Sequence, residues 1–557
     1  MLKQRQCHRL DHDHAMHRRL LRTRPRRYAR TAVSLAALTS AGAAAAIYHD
    51  ADHSPSSSTL STAPLSTLLR TYLVYTLVSI PPLVDAAPSL LSALLATPGL
   101  RIAAEAFVRR TFFAQFVGGE TAEGCVPVLG DLRREGKGAL FAYSVEVPDQ
   151  GAHAHGPHSN GAAYKRFVDE MIHSIDVAAD FDESHGAQRK TWVAIKLTAL
   201  LPSAEALARF SAVLASTNTR GVPYPGTPRH DNLAVLYRGG ELDDADCAAL
   251  RELHSDLRRI CTRAQRRGVR VIVDAEHTWY QPAIDAFGHA LMMEFNKLPP
   301  APSRLSLLLP SPLIYVTYQA YLRRTPAHLA HSLASAREGG YALGVKLVRG
   351  AYHGQEEGQE LAFVKHTPDL AKRTHTRIPE PLPPVWSTKA ETDACFDACA
   401  EMLLRVVRDD VAAAAPLQTS TAQASTASIG GASDAAPLAV LFGTHNRASC
   451  LRILDGLVRL GLASPTATRT NALERGAIRP AAALRARLAF GQLYGMSDAL
   501  SDELVRRMGG AELGGGDGPW VIKYVPYGAL TEVMPYLSRR AIENRSVLGG
   551  GGGANEQ

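Results

Sequence analysis

Eight short apolar runs, each separated from the next by enough chain for a helix, constrain this 557-residue sequence more than any other feature. They are Ala139–Val145, Val193–Leu197, Val269–Asp274, Leu313–Gln319, Gly344–Val348, Ala439–Gly443, Leu488–Leu493 and Val521–Val525. Their bodies are mostly apolar at every position. That suits strands covered on both faces rather than strands with one wet face. Eight such runs with helical patterns between them predict an α/β fold, a parallel sheet closed into a (β/α)8 barrel, which needs about 250 residues plus insertions.

A polar residue stands at or near the C-terminal end of almost every run. In order these are Tyr143 and Glu146, Lys196, Asp274 and Glu276, Gln319, Arg349, Thr444-His445-Asn446, Gln492 and Tyr524. In a parallel barrel those ends share one rim, where active sites are built. One polar residue after a strand is the ordinary start of a loop; the recurrence along the whole series predicts a site.

Other site chemistries find no support. No Gly-x-Gly-x-x-Gly fingerprint follows a strand, and the glycines from Gly130 to Gly138 lack Walker spacing. The His-Glu-x-x-His zinc signature is absent, so no metal is expected. The seven cysteines form no CxxC pair; Cys395 and Cys399 share a helix face, and buried thiols in a reducing compartment are expected. His153, His155 and His158 lie in a Gly/His stretch, Asp149 to Ala163, with no carboxylate or thiol set to join them, and read as a solvated loop.

Charge argues for an address rather than a nucleic-acid surface. The net charge is +8, yet the first 30 residues alone hold ten basic residues and two acidic ones, which leaves the rest of the chain neutral. No nucleic-acid partner is therefore expected. An Arg-rich segment followed by an Ala-heavy run, Thr31 to Tyr48, has the pattern of a mitochondrial presequence; a retained membrane anchor or a plain tail are the alternatives. A second apolar stretch, Leu68 to Leu95, is broken by Pro81-Pro82 and by Pro88 and predicts amphipathic helices packed on the body or lying on a membrane surface. Ala412 to Ala436, Gly509 to Gly518 and Gly549 to Gly553 are of low complexity and predict disordered or flexible segments.

The segment TEVMPYLSRRAIENRS predicts a helix capped by Thr531. Tyr536, Arg539, Arg540 and Glu543 recur at i, i+3, i+4 and i+7 and share one face. Two adjacent guanidiniums can hold a carboxylate through forked hydrogen bonds, an aromatic beside them can cover an apolar ring, and Glu543 can orient an arginine or accept from a substrate amine. An exposed charged face with internal ion pairs is the plain alternative.

Ten segments together resemble proline dehydrogenase, the FAD-dependent enzyme of mitochondria and bacteria, and look like its fungal mitochondrial type. They are FVGGET (Phe116–Thr121), AYSVE (Ala142–Glu146), IKLTAL (Ile195–Leu200), DAE (Asp274–Glu276), QAYL (Gln319–Leu322), KLVRGAY (Lys346–Tyr352), WSTKAETD (Trp386–Asp393), FGTHNRAS (Phe442–Ser449), FGQLYGMSD (Phe490–Asp498) and YVPYG with YLSRRAIEN (Tyr524–Gly528, Tyr536–Asn544). The resemblance implies a distorted (β/α)8 barrel with FAD at its C-terminal rim. It carries over Gln319, Lys346, Arg349, Lys389, Thr392, Thr444, His445 and Asn446 for the cofactor, Lys346 standing where bacterial relatives have an arginine. For proline it carries over Lys196, Asp274, Tyr352, Leu493, Tyr524, Tyr536, Arg539, Arg540 and Glu543.

The implied reaction is oxidation of L-proline to 1-pyrroline-5-carboxylate by hydride transfer to the flavin, the first step of proline catabolism. Electrons then pass to ubiquinone at the matrix side of the inner mitochondrial membrane. The alternatives are hydroxyproline dehydrogenase, in which serine stands where this chain has Tyr524, and a non-catalytic barrel used as a binding protein. The implied organisation is a presequence over residues 1–50, an N-terminal helical region over 51–110, the barrel over 111–547 with the insert 412–436, and a disordered tail over 548–557.

Overall fold

A computed structural model of the chain describes residues 64–144, 162–186, 190–217, 222–228, 230–238, 240–298, 312–356, 383–414, 437–466, 476–509 and 519–548. Glu146, the three histidines between 153 and 158, residues 415–436 and the presequence lie outside these.

All eight predicted runs are strands: β1 Gly138–Tyr143, β2 Thr191–Ile195, β3 Val271–Val273, β4 Ile314–Gln319, β5 Leu343–Val348, β6 Leu438–Gly443, β7 Leu488–Leu493 and β8 Val521–Tyr527. They pair in parallel and in sequence, and β8 closes on β1 to complete the barrel. A separate two-stranded hairpin joins Ala463–Pro465 to Ile478–Pro480.

Side-chain alternation sorts each strand. Leu140, Ala142, Trp192, Ala194, Ile272, Tyr315, Ala439, Leu441, Ala489 and Ile522 fill the barrel interior, with Tyr524 packed on them. The intervening residues, such as Phe141, Val193, Val273, Val316, Val345, Phe442, Phe490 and Val525, meet the outer helices. The interior is a packed core. Trp192 and Tyr315 lie 5.1 Å apart, and Gly344 gives them room, since a Cβ there would come within 2.3 Å of the Ile314 carbonyl oxygen and 2.9 Å of the Tyr315 ring. Truncating either ring would cost about 3–5 kcal/mol.

The same alternation corrects one sequence expectation. Tyr143 falls on the outer face, where its ring meets Phe167 and Tyr527 and its hydroxyl donates to Glu532 at 3.3 Å, so it is not part of the rim chemistry.

The outer helices are α1 Ala162–Ser184, α2 Glu205–Thr217, α3 Asp244–Arg267, α4 Gln281–Phe295, α5 Thr325–Gly339, α6 Lys389–Ala414, α7 Arg447–Arg459, α8 Asp498–Arg507 and α9 Leu530–Leu548. The helix α6 runs through the first residues of the expected 412–436 insert. Its length comes from an inner face of Phe396, Cys399, Leu403 and Val407, which repeats at helical spacing and is fully buried. The helix α9 starts one residue before Thr531, which therefore does not cap it. Instead the Glu532 carboxylate accepts from the Ala529 backbone N–H at 3.1 Å, the reach-back half of a capping box. The six described cysteines are buried free thiols.

The described residues fall into two units, 64–72 and 73–548. In the second, Pro81 and Pro82 open the helix Pro81–Ala96, which continues through Pro88 rather than breaking there. Proline at a first turn loses no hydrogen bond that the helix would have made. Val74, Val108, Phe116 and Val117 share a hydrophobic cluster with Met496, Val533, Tyr536 and Leu537. The segment from Val74 to Val117 thus backs α9, the helix that carries the paired arginines. Among the described residues no single helix is long and apolar enough to cross a membrane.

Candidate active site

A cleft opens at the C-terminal rim of the barrel, about 880 Å³ when the space at its open mouth is counted. Of the residues expected from sequence, Lys196, Asp274, Gln319, Lys346, Tyr352, Thr444, His445, Leu493, Tyr524, Tyr536, Arg539 and Arg540 all line it. Its floor is the top of the barrel interior: Leu140, Thr317, Leu441 and Ile522. The sequence analysis missed this layer, although it follows from continuing the inward alternation to the strand ends.

The centre of the cleft is a three-residue array. Lys346 Nζ donates to Asp274 Oδ1 at 2.6 Å, Tyr524 Oη donates to Asp274 Oδ2 at 2.9 Å, and the same ammonium lies 5.2 Å from the centroid of the Tyr524 ring. Both carboxylate oxygens are engaged. An ion pair removed from water is helped by such further hydrogen bonds, and here Tyr524 supplies one to the second carboxylate oxygen.

Two arginines close one side. Arg540 is 2% exposed; it pairs with Glu543 at 2.5 Å, and its guanidinium carbon lies 4.9 Å from the centroid of Tyr536. Arg539 lies 5.2 Å from the centroid of Tyr352. Glu543 does not line the cleft and acts on it through Arg540. Leu493 and the tyrosines give the same space apolar cover.

Four of the expected cofactor residues, Arg349, Lys389, Thr392 and Asn446, do not line the cleft; Arg349, Lys389 and Thr444 form a hydrogen-bonded shelf beside it through Asp393. Arg349 follows β5 and is 1% exposed. It donates from Nε to Asp393 at 2.6 Å, from Nη1 to Thr444 Oγ1 at 2.6 Å and from Nη2 to Ser449 Oγ at 2.8 Å, and it lies over the Phe396 ring at 4.4 Å. Lys389 Nζ donates to the other oxygen of Asp393 at 2.7 Å. Burial pushes the Asp393 carboxyl up, but the hydrogen bonds and charges of Lys389 and Arg349 hold it below the usual range. Asp393 and Ser449 are the organising residues that sequence reasoning did not single out, although both lie inside segments it quoted. Asn446 caps α7 by accepting from Ser449 N at 3.1 Å.

After Arg349 the chain turns at Gly350, at φ 134°, a conformation other residues rarely adopt. A Cβ there would come within 2.4 Å of the Tyr321 ring.

Three buried polar atoms on this side have no hydrogen-bond partner among the described residues: Gln319 Oε1, Thr392 Oγ1 and His445 Nδ1. The Gln319 amide is oriented by donating from Nε2 to the Glu276 carbonyl and to Tyr321 Oη, both at 3.1 Å. His445 Nε2 accepts from Leu493 N at 3.2 Å, which assigns the ring proton to Nδ1. Burial, then the charges of Lys523, Arg540 and Arg349, lower the His445 value to about 3, so the imidazole is neutral. The glycines Gly443 and Gly491 sit side by side on β6 and β7 at the cleft wall. A Cβ on Gly443 would come within 2.9 Å of Val348, and one on Gly491 within 3.2 Å of Leu441. Unmatched buried groups and a side-chain-free wall fit a flat, multiply hydrogen-bonding cofactor, and the Arg349–Lys389 shelf fits its anionic part.

Around the cleft, Glu276 is not a lining residue. It accepts from Thr198 N at 3.2 Å and from Thr198 Oγ1, tying the ends of β2 and β3 together. Burial raises its carboxyl above the ordinary range, against the Thr198 bonds and the nearby Lys196 charge. Gln492 does line the cleft; it accepts from Ser501 Oγ and donates to the Thr444 carbonyl at 3.4 Å, which braces the β6 and β7 ends.

Comparison with known proteins gives a consistent result. The family model described as proline dehydrogenase matches residues 157–550. Proline dehydrogenase 2, mitochondrial, of Arabidopsis thaliana is 28% identical over 516 residues, covering 90% of this chain and 88% of that protein. Hydroxyproline dehydrogenase of Mus musculus is 27% identical over 490 residues, covering 87% and 88%. Among solved structures, proline utilization A from Bdellovibrio bacteriovorus, inactivated by N-propargylglycine, superposes with a TM-score of 0.51 at 18% identity. That match takes in 86% of this chain but only 38% of the bacterial one, and it speaks for the fold.

Proposed function

This chain belongs to the proline dehydrogenase family, and we propose that it oxidises L-proline to 1-pyrroline-5-carboxylate with FAD as the bound cofactor. The observation that carries the reading is the arginine pair: Arg539 and Arg540 project from one helix into a cleft whose lining also includes Leu493 and three tyrosines. A small apolar ring bearing a carboxylate is the ligand such a pocket suits.

In this reading Gln319, Lys346, Arg349, Lys389, Thr392, Thr444, His445 and Asn446 hold FAD, which supplies acceptance of a hydride from the substrate carbon next to nitrogen. Arg539 and Arg540 take the proline carboxylate with help from Lys196. Leu493, Tyr352, Tyr524 and Tyr536 cover the ring and exclude water. Asp274 keeps the Lys346 ammonium and the Tyr524 hydroxyl in fixed positions, so the pocket is set before substrate arrives. His445 presents a neutral Nδ1–H donor. Glu543 fixes the plane of Arg540.

Electron transfer to ubiquinone, the place at the head of proline catabolism and residence in mitochondria at the inner membrane complete the proposal. They are supported by the family and by the mitochondrial names of relatives.

Hydroxyproline is the second reading, since relatives with that activity are as similar as those acting on proline. Tyr524 favours proline: a full tyrosine ring, held by its hydroxyl on Asp274, occupies the position where the resemblance places serine in the hydroxyproline branch. Anaerobic mixing of purified, flavin-loaded protein with each imino acid tests both. Bleaching of the flavin by proline, and far less by trans-4-hydroxyproline, is expected. A colourless protein, or no bleaching by either, would reject the enzyme.

A further inference from the structure

Four side chains from three parts of the rim form a connected stack beside the cleft. Trp279 and His277, in the loop after β3, lie face to face with ring centroids 4.2 Å apart and planes 9° apart. His277 also meets Tyr352, in the loop after β5, at 4.1 Å and 40°. Arg539, on α9, lies 5.2 Å from the Tyr352 centroid. His277 and Trp279 are both buried, and neither lines the cleft.

The loops that carry these rings are clasped to one another. The Glu356 carboxylate accepts from Thr278 N at 2.9 Å and from Thr278 Oγ1 at 2.5 Å, and lies 3.6 Å from His277 Nδ1. On the β5 side, the close approach of Gly350 to Tyr321 fixes the start of the Tyr352 loop. The stack therefore stands on an anchored base.

We infer that His277 and Trp279 are positioning residues for substrate binding, their rings holding Tyr352, and through its face Arg539, in the arrangement that takes the substrate carboxylate. The inference rests on the reading of the cleft as a proline site. A tyrosine on a loop has other staggered rotamers open to it. Ring contacts and a cation–π contact on its face select one of them, each by a few-fold in the equilibrium. An arginine kept in place before binding loses less freedom when it binds, so the effect belongs to affinity rather than to hydride transfer.

The test uses the flavin-loaded enzyme. It reads proline KM and kcat, and the dissociation constant of cyclopentanecarboxylate from its perturbation of the flavin spectrum. That probe has the ring and the carboxylate but no oxidisable amine. His277→Ala should raise both KM and the dissociation constant about fivefold to tenfold, with kcat within about threefold. His277→Phe, which keeps a flat ring, should return both to within about twofold, and Trp279→Leu should fall between. If His277→Ala does not retain flavin, His277→Leu fills the volume and carries the same expectation. In a Tyr352→Ala background, His277→Ala should add nothing, because the ring it supports is gone.

Unchanged affinity in His277→Ala, a Phe variant as weak as the Ala variant, or additive effects in the double variant would each overturn the inference. Weakening by Tyr352→Ala without any effect at His277 would sink the stack alone. No effect at Tyr352 would sink both the stack and the assignment of Tyr352 to the proline site.

Discussion

Lys346 Nζ reaches across the barrel mouth from β5 to Asp274 at the end of β3, 2.6 Å away, while Tyr524 from β8 occupies the other carboxylate oxygen. Three strands are thereby fixed at one carboxylate. Asp274→Ala would leave the Lys346 ammonium, only 12% exposed, without its counter-ion. Breaking a buried pair from one side costs about 3–5 kcal/mol. The variant should therefore melt earlier and lose tenfold or more in kcat/KM for proline. Thermal unfolding and steady-state kinetics check it, and wild-type values in both would remove Asp274 from the centre of the site.

Tyr524 separates ring contact from hydrogen bonding. Tyr524→Phe keeps the volume and loses one hydrogen bond to a charged group, worth about 1.5–3 kcal/mol; preference for proline over hydroxyproline should persist. Tyr524→Ser opens space and should shift the ratio of the two kcat/KM values toward trans-4-hydroxyproline. A ratio that moves in neither variant places Tyr524 outside the ring pocket.

The two arginines should agree in function. Arg539→Met and Arg540→Met should each raise proline KM tenfold or more while FAD stays bound, since a lost charged hydrogen bond costs about 1.5–3 kcal/mol. Arg540→Met also removes the ion pair to the buried carboxylate of Glu543, so it should unfold at lower denaturant than the parent protein. Urea titration of Arg540→Met against the parent protein measures the loss, and an unchanged midpoint would refute it.

His445 predicts a defined acid sensitivity. Its folded-state value, about 3, lies below the ordinary 6.5 because burial and three nearby cations disfavour the charged ring. The neutral ring therefore contributes stability that is complete above pH 6.5 and is lost as pH falls from 6.5 toward 3. Replacing it by Asn should flatten the decline relative to the native protein by up to about 1.4 kcal/mol per pH unit in that window. Urea unfolding between pH 4 and 7 measures the slope, and identical slopes would refute the burial of a neutral imidazole.

The N-terminal boundary is tested by truncation. Removing residues 1–50 should leave flavin binding and proline oxidation intact and abolish mitochondrial import. Removing residues 1–110 strips Val74 and Val108 from the cluster behind Tyr536 and Leu537. Each lost valine contact is worth about 1.5–3 kcal/mol of burial. This longer truncation should lower the melting temperature and raise proline KM. Full activity after it would uncouple these helices from α9.

What the sequence by itself determined was everything with a short period. Eight doubly apolar runs carried the barrel, residues at or near their ends carried the rim, and the i, i+3, i+4 spacing of Tyr536, Arg539 and Arg540 carried one wall of the site, with Glu543 one turn further on behind it. Even the outward turn of Tyr143 was implicit in the alternation through Leu140 and Ala142. Only the tertiary structure decided which rim residues hold one another. Asp274 and Tyr524 are 250 residues apart in the chain and share a hydrogen bond. Asp393 joins Arg349 to Lys389 although only the second lies on its own helix. His277 follows the quoted DAE segment by one residue, and its contact with Tyr352 depends on loops from two strands meeting. Periodicity reports which face of an element is buried, because that is set by local geometry. A partner brought in by another strand leaves no trace in local spacing, so such pairs become legible only once the barrel has closed.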